Sequence, residues 1–144
     1  HLRQRSHLYH LIKNIIADPS EGYFLYDLQY YSKENLLIED DMKVMLEMKN
    51  LLESKGIGFK VLILPYKVQL NSKDPRYMAP QKMLSRYFKQ YGIEYIDAIE
   101  EFNKNCNPPS QCFLYGDPLH LSAKGHKVIF ELILSLVKKY EEIR

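Results

Sequence analysis

Phe59-Lys60-Val61-Leu62-Ile63-Leu64-Pro65 decides how the rest of the chain is read. Four consecutive aliphatic residues between Gly58 and Pro65 leave no polar face, so the segment reads as a buried strand of the kind found in parallel sheets. Upstream, Ile38, Met42, Met45, Leu46 and Leu52 recur at helical spacing, and Gly56 supplies a stop just after Lys55. On that helix Met42, Met45 and Met48 read as core filler, and Asp40-Asp41 as a solvated acidic pair. Downstream, Met83, Leu84, Tyr87, Phe88 and Tyr91 form another helical stripe, which Gly92 ends. Ile93-Glu94-Tyr95-Ile96-Asp97 alternates as the next strand, and a short helix from Ala98 to Lys104 follows. Ser122 is placed to cap a last helix that runs to about Tyr140.

At the other end, Leu8, Leu11, Ile12, Ile15 and Ile16 predict a first helix ending near Asp18-Pro19. Tyr23 to Tyr31 fits a strand or an irregular, tyrosine-lined connection, with Tyr23, Tyr26, Tyr30 and Tyr31 read as a core or interface stripe rather than a sugar-stacking surface. Helices alternating with strands imply an α/β fold with parallel strands and right-handed crossovers. The expectation is a single domain over residues 1–144, a three-layer α/β/α sandwich of which this chain holds part of the sheet.

The 144 residues are 46% hydrophobic, enough for one core. Twenty basic against 18 acidic residues give a net charge of +2, too balanced to point to nucleic acid or an anionic membrane. No apolar run approaches the roughly 18 residues of a membrane span. The N-terminus has neither a signal-peptide core nor an initiator Met, so the chain is read as processed, truncated or a fragment. Cys106 and Cys112 bracket Asn107-Pro108-Pro109-Ser110-Gln111. They fit a disulfide, which would place the protein outside the cytoplasm, or two reduced thiols in a surface loop. They are too few for a zinc site.

The chemistry concentrates in Gly116-Asp117-Pro118-Leu119-His120-Leu121-Ser122-Ala123-Lys124-Gly125-His126. Here an Asp sits three residues before a His, in a Gly/Pro turn ahead of an apolar helix. A tight turn at that spacing brings the carboxylate to the imidazole, where it fixes the tautomer and stabilises the protonated ring. In open α/β sheets, sites form at the carboxyl ends of strands. The Pro65-Tyr66 turn, the residues after Asp97 and the Asp117–His120 turn are all expected there. Taken alone, Asp117 and His120 would serve as well to cap the turn and the last helix. Tyr66 and Gln69, just past Pro65, are candidates to line a substrate cleft, and His126 reads as structural packing. His7 and His10, spaced i and i+3, lack a third ligand, so no metal site is expected.

Taken together, these segments resemble the C-terminal half of an SGNH (GDSL-type) hydrolase. Asp117-Pro118-Leu119-His120 resembles the family's last block, which supplies the acid and base of a catalytic triad. Leu52 to Pro65 is similar to the helix, glycine and strand unit ahead of that block, and Tyr91 to Asp97 to the family's final strand. Leu2 to Tyr9 resembles a helix found after the Gly-x-Asn-Asp block of larger members. The resemblance implies an ester hydrolase acting on an ester or acylated small-molecule or glycan substrate, without metal or organic cofactor. In it His120 would be the base and Asp117 its partner.

The chain departs from the family in lacking both the Gly-Asp-Ser block of the nucleophile and the Gly-x-Asn-Asp block of the oxyanion hole. Of its serines, Ser122 is better explained as a helix cap, and neither Ser110 nor the others has the strained-turn setting of a nucleophile. This polypeptide is therefore expected to be inactive alone, self-associating or completed by a companion N-terminal segment. The alternatives are an O-acyltransferase of glycans on the same fold, and a non-catalytic SGNH-like binding or assembly module.

Overall fold

The structure is a computed structural model. It describes Leu8 and residues 20–31, 36–115 and 117–142, the side chains of Leu36, Leu37 and Tyr140 excepted. Leu8 apart, the first predicted helix lies outside the described residues, as do His7, His10 and Gly116.

Two copies of one local unit build the centre. Helix α1 (Ser20–Tyr31) is followed by α2 (Leu36–Glu53), which leads through Gly56-Ile57 into β1 (Lys60–Ile63). Two 3-10 turns, Lys67–Gln69 and Pro75–Met78, come before α3 (Ala79–Gln90), which leads through Gly92-Ile93 into β2 (Glu94–Asp97). Both helices stop in the same way. Gly56 and Gly92 have φ of 70° and 61°, the left-handed conformation that costs glycine least. The Ile57 amide donates to the Leu52 carbonyl at 3.0 Å and the Ile93 amide to that of Phe88 at 2.8 Å. Gly56 and Gly92 donate to Glu53 and Lys89. This Schellman pattern satisfies the orphan carbonyls of each last turn and turns the chain directly into a strand.

β1 and β2 pair in parallel, Lys60 opposite Glu94 through Ile63 opposite Asp97. Successive side chains of β1 join different clusters, as the period of two requires. Val61 and Ile63 pack with Ile38 and Met42 of α2 and Tyr87 and Phe88 of α3. Leu62 packs on the other cluster, built from Ala98, Ile99, Phe102, Phe113 and Val128. Ile99 and Phe102 come from α4 (Ile99–Asn105) and Val128 from α5 (Ala123–Glu142), while Ala98 stands just before α4 and Phe113 between the two helices. The fold is thus mixed helix and strand around a two-stranded parallel sheet.

Four expectations change. β1 is shorter than the apolar run and only Ile63 of its four residues is buried, while Leu64 is exposed, because the described sheet has a single neighbour for it. Tyr23–Tyr31 is neither strand nor irregular but the greater part of α1. Its inward positions are Ser20, Phe24, Asp27, Leu28 and Tyr31, so two polar residues interrupt the apolar period. Tyr23, Tyr26 and Tyr30 are exposed and hence not core. Met48 is also exposed, leaving Met42 and Met45 as the core methionines of α2.

Among the described residues no helix is long and apolar enough to cross a membrane. Phe88, 1% exposed at the point where α2, α3 and β1 meet, should be the most sensitive position of its cluster. Phe88→Ala is expected to cost about 3–5 kcal/mol in urea denaturation, the usual toll of truncating a buried aromatic.

Candidate functional site

The residues after α4 form a clamp that shapes the Asp117–His120 turn. Cys106 and Cys112 are both fully buried and joined in a disulfide, which closes a loop containing the 3-10 turn Pro109–Gln111. The chain then makes a short hairpin. Phe113 bridges Leu121 in antiparallel fashion, and the Leu114 amide donates to the His120 carbonyl at 2.8 Å. The returning arm is tied to the disulfide loop. The Ser122 amide donates to the Cys112 carbonyl at 3.0 Å, Ser122 Oγ donates to the Gln111 carbonyl at 2.6 Å, and Lys124 Nζ reaches Gln111 Oε1. Ser122 Oγ also accepts from the Gly125 amide at 3.3 Å, the bond expected of a helix cap.

Inside the hairpin the carboxylate of Asp117 organises its own turn. Oδ1 accepts from the amides of Leu119 and His120, each at 2.8 Å, an Asx-type arrangement that Pro118 cannot disturb because it has no N–H. Oδ2 lies 2.7 Å from His120 Nδ1. An ionised carboxylate has no proton to give, so Nδ1 carries the proton of this contact, and in the neutral ring Nε2 holds the lone pair. The His120 side chain is 74% exposed, and among the described residues its ring is hydrogen-bonded to Asp117 alone. Desolvation works against the Asp117 carboxylate. The His120 and Leu119 amides and the imidazole outweigh it, and hold the group below the usual carboxylate range. The arrangement is an oriented imidazole with an open, basic nitrogen.

The turn docks where the sheet predicts. The Lys67 amide, four residues past the end of β1, donates to the Pro118 carbonyl at 3.0 Å. Lys67 Nζ lies 3.5 Å from Ser20 Oγ at the start of α1. Tyr66 donates its hydroxyl to Asp27 Oδ2 at 2.8 Å, Tyr77 bonds Glu21, and Phe24 packs edge-on against the Tyr66 ring and tilted against that of Tyr77. Helix α1 is thereby strapped across the carboxyl end of β1.

Of the residues expected at a site, the structure brings Asp117 and His120 together and assigns the others different work. Tyr66 is half-buried. Burial, and then its bond to Asp27, push its phenol far above the ordinary value, so it is a strut of α1. Gln69 cannot line a cleft. It is 2% exposed, and its amide is used up by the Tyr77 carbonyl, the Gln81 side chain and the Tyr66 amide. His126 is exposed rather than packed. The packing residue is its neighbour Gly125, buried against the carbonyl of Cys112. The pairing of Gly125 with Cys112 carries no local sequence signal, since the contact joins residues 13 apart. No serine among the described residues is hydrogen-bonded to His120, and Ser20 is fully buried. No group of three or more His, Cys, Asp or Glu among the described residues is placed to hold a metal ion. Comparison with family models, curated proteins and solved structures finds no match.

Two outcomes are expected. In the neutral ring the His120 15N shifts should report the Nδ1–H tautomer, and Asp117→Ala should shift the ring towards the Nε2–H tautomer that a free histidine side chain favours. Because the folded Asp117 value is depressed, its contribution to stability is complete above the unfolded carboxyl value of about 3.9 and is lost as pH falls through the folded value. A 13C titration of the Asp117 carboxyl should therefore have a midpoint below that of the unfolded chain.

Gly125→Ala tests the clamp. Its Cβ would lie 2.2 Å from the Cys112 carbonyl oxygen, a backbone atom already held by Ser122. A loss of about 3 kcal/mol in thermal or urea unfolding is expected, at the upper end for overpacking.

Proposed function

We propose that Asp117 and His120 are the acid and base of a serine ester hydrolase of the SGNH type, on a three-layer α/β/α architecture. The observation that carries this reading is the 2.7 Å contact between Asp117 Oδ2 and His120 Nδ1, with Nε2 open, on a turn bonded to the segment that leaves β1. In such chemistry a serine hydroxyl attacks the ester carbonyl while His120 Nε2 takes its proton. Asp117 stabilises the imidazolium that forms, and Nε2 then returns the proton to the departing alcohol oxygen. Water resolves the acyl-enzyme by the same two transfers. Neither metal nor organic cofactor is required.

The serine and the oxyanion donors are supplied from outside the Gly116–His126 block. The described serines have other partners or stand apart from the imidazole: Ser122 caps α5, and Ser20 is buried beside Lys67. The buried disulfide supports an extracytoplasmic setting, where such bonds persist.

A fluorophosphonate probe, which reacts with serines activated by a neighbouring base, tests the reading. Together with the segment that supplies the serine, the chain is expected to take up one probe on that serine, and His120→Ala to slow this by about 1,000-fold or more. Residues 1–144 alone are expected to take up none. Labelling that is indifferent to His120 would overturn the assignment.

A further inference from the structure

Between Asp74 and Glu94 the sequence carries Arg76, Lys82, Arg86 and Lys89 and no acidic residue. Four helical lysines elsewhere are matched to acids one turn away: Lys43 with Asp40, Lys49 with Glu53, Lys104 with Glu101 and Lys127 with Glu131. The cations of α3 have no such match. Lys82, Arg86 and Lys89 are exposed, and none forms an ion pair with any described residue.

These three cations share one concavity. A cleft of about 520 Å³ is lined by Lys82, Ser85, Arg86 and Lys89 of α3 together with Tyr95 and Asp97 of β2. The Arg86 guanidinium sits 5.2 Å from the Tyr87 ring centre, which braces it. The acid of the lining, Asp97, is engaged at Oδ1 by the Ile99 amide at 3.1 Å. At 1.5 Å rise per residue the cations follow one another at about 6 Å and about 4.5 Å along the helix axis. Duplex nucleic acid presents a charge every ~1.7 Å, a much denser pattern. A membrane surface calls for an apolar face at the bilayer, whereas here the cations line a hollow. Tyr95 is tilted against Phe88 with ring centres 5.5 Å apart, and the part of its ring that Phe88 leaves uncovered lines the hollow, an amphipathic surface suited to a sugar.

We infer that this cleft binds an acidic glycan, a linear polysaccharide with one anionic group per sugar unit, laid along α3 with its charges on Lys82, Arg86 and Lys89. Asp97, the last residue of β2, is among the lining residues, so the cleft reaches the carboxyl end of the sheet, the edge where the Asp117–His120 turn docks. The binding claim stands on the cleft alone. Its consequence for the hydrolase, that this polymer carries the ester, rests on the reading above.

Fluorescence anisotropy with a labelled oligogalacturonate on the His120→Ala protein measures binding apart from catalysis. Binding is expected, with log K falling against log salt at a slope of about −2 for three contacts. The triple variant Lys82→Gln, Arg86→Gln, Lys89→Gln should bind about 10- to 100-fold more weakly, three exposed charge contacts being worth about 0.5–1 kcal/mol each. The matched variant Lys43→Gln, Lys104→Gln, Lys127→Gln removes the same charge elsewhere and should change affinity less than about threefold. All six side chains are exposed, so unchanged urea midpoints serve as the folding control. Absence of binding, equal losses in the two variants, equal affinity for neutral dextran, or tighter binding to single-stranded DNA or anionic vesicles would each overturn the inference. None of these results bears on whether His120 activates a serine.

Discussion

The carbonyl oxygen of Cys112 is the contact on which the C-terminal third of this protein turns. It accepts the Ser122 amide, and the bare backbone of Gly125 presses against it. Ser122 in turn caps the last helix and reaches back to the Gln111 carbonyl. A loop without the disulfide would be free to drift from this position. With Cys106 and Cys112 joined and fully buried, the carbonyl is fixed relative to Phe102, Phe113 and Val128 of the surrounding cluster. The hairpin that carries Asp117 and His120 springs from this fixed point, and so inherits its rigidity from packing rather than from the exposed turn itself.

A second constraint meets the first at the sheet edge. The repeated helix, glycine, isoleucine and strand unit sets β1 and β2 side by side and in register, so both deliver their chains to the same edge. The chain leaving β1 meets the turn through a backbone bond from Lys67 to Pro118 and meets α1 through Tyr66 and Asp27. The imidazole thus stands at the meeting of three segments distant in sequence, with its carboxylate partner only three residues away. Local chemistry supplies orientation, and long-range packing supplies location.

How much of this could be read in the residues follows from the range of each interaction. The Asp117–His120 pair was legible because it lies within one turn and a carboxylate at that spacing can reach an imidazole. The two glycine stops and the helices they end were legible for the same reason. Helix α1 was not, because Ser20 and Asp27 occupy inward positions and are satisfied by Lys67 and Tyr66 far along the chain. Gln69 looked like a cleft residue because it is polar and follows a strand, yet its amide pairs with Gln81 and the Tyr77 backbone in the interior. The packing role read into His126 falls to Gly125, for want of any local sign that a carbonyl 13 residues earlier lies against the helix. The cationic row of α3 was present in the sequence but hidden by the near-neutral total, and only the cleft that gathers its three side chains makes it stand out.

The most direct test of the account is native-state amide exchange after the disulfide is removed by paired Cys→Ala substitution at 106 and 112. If the disulfide loop holds the Asp117–His120 turn, the Ser122, Leu114 and Lys67 amides should lose protection together, while Ile93, closed by the Schellman turn, keeps its own. Unchanged protection at Ser122 and Leu114, or a uniform loss that includes Ile93, would contradict it.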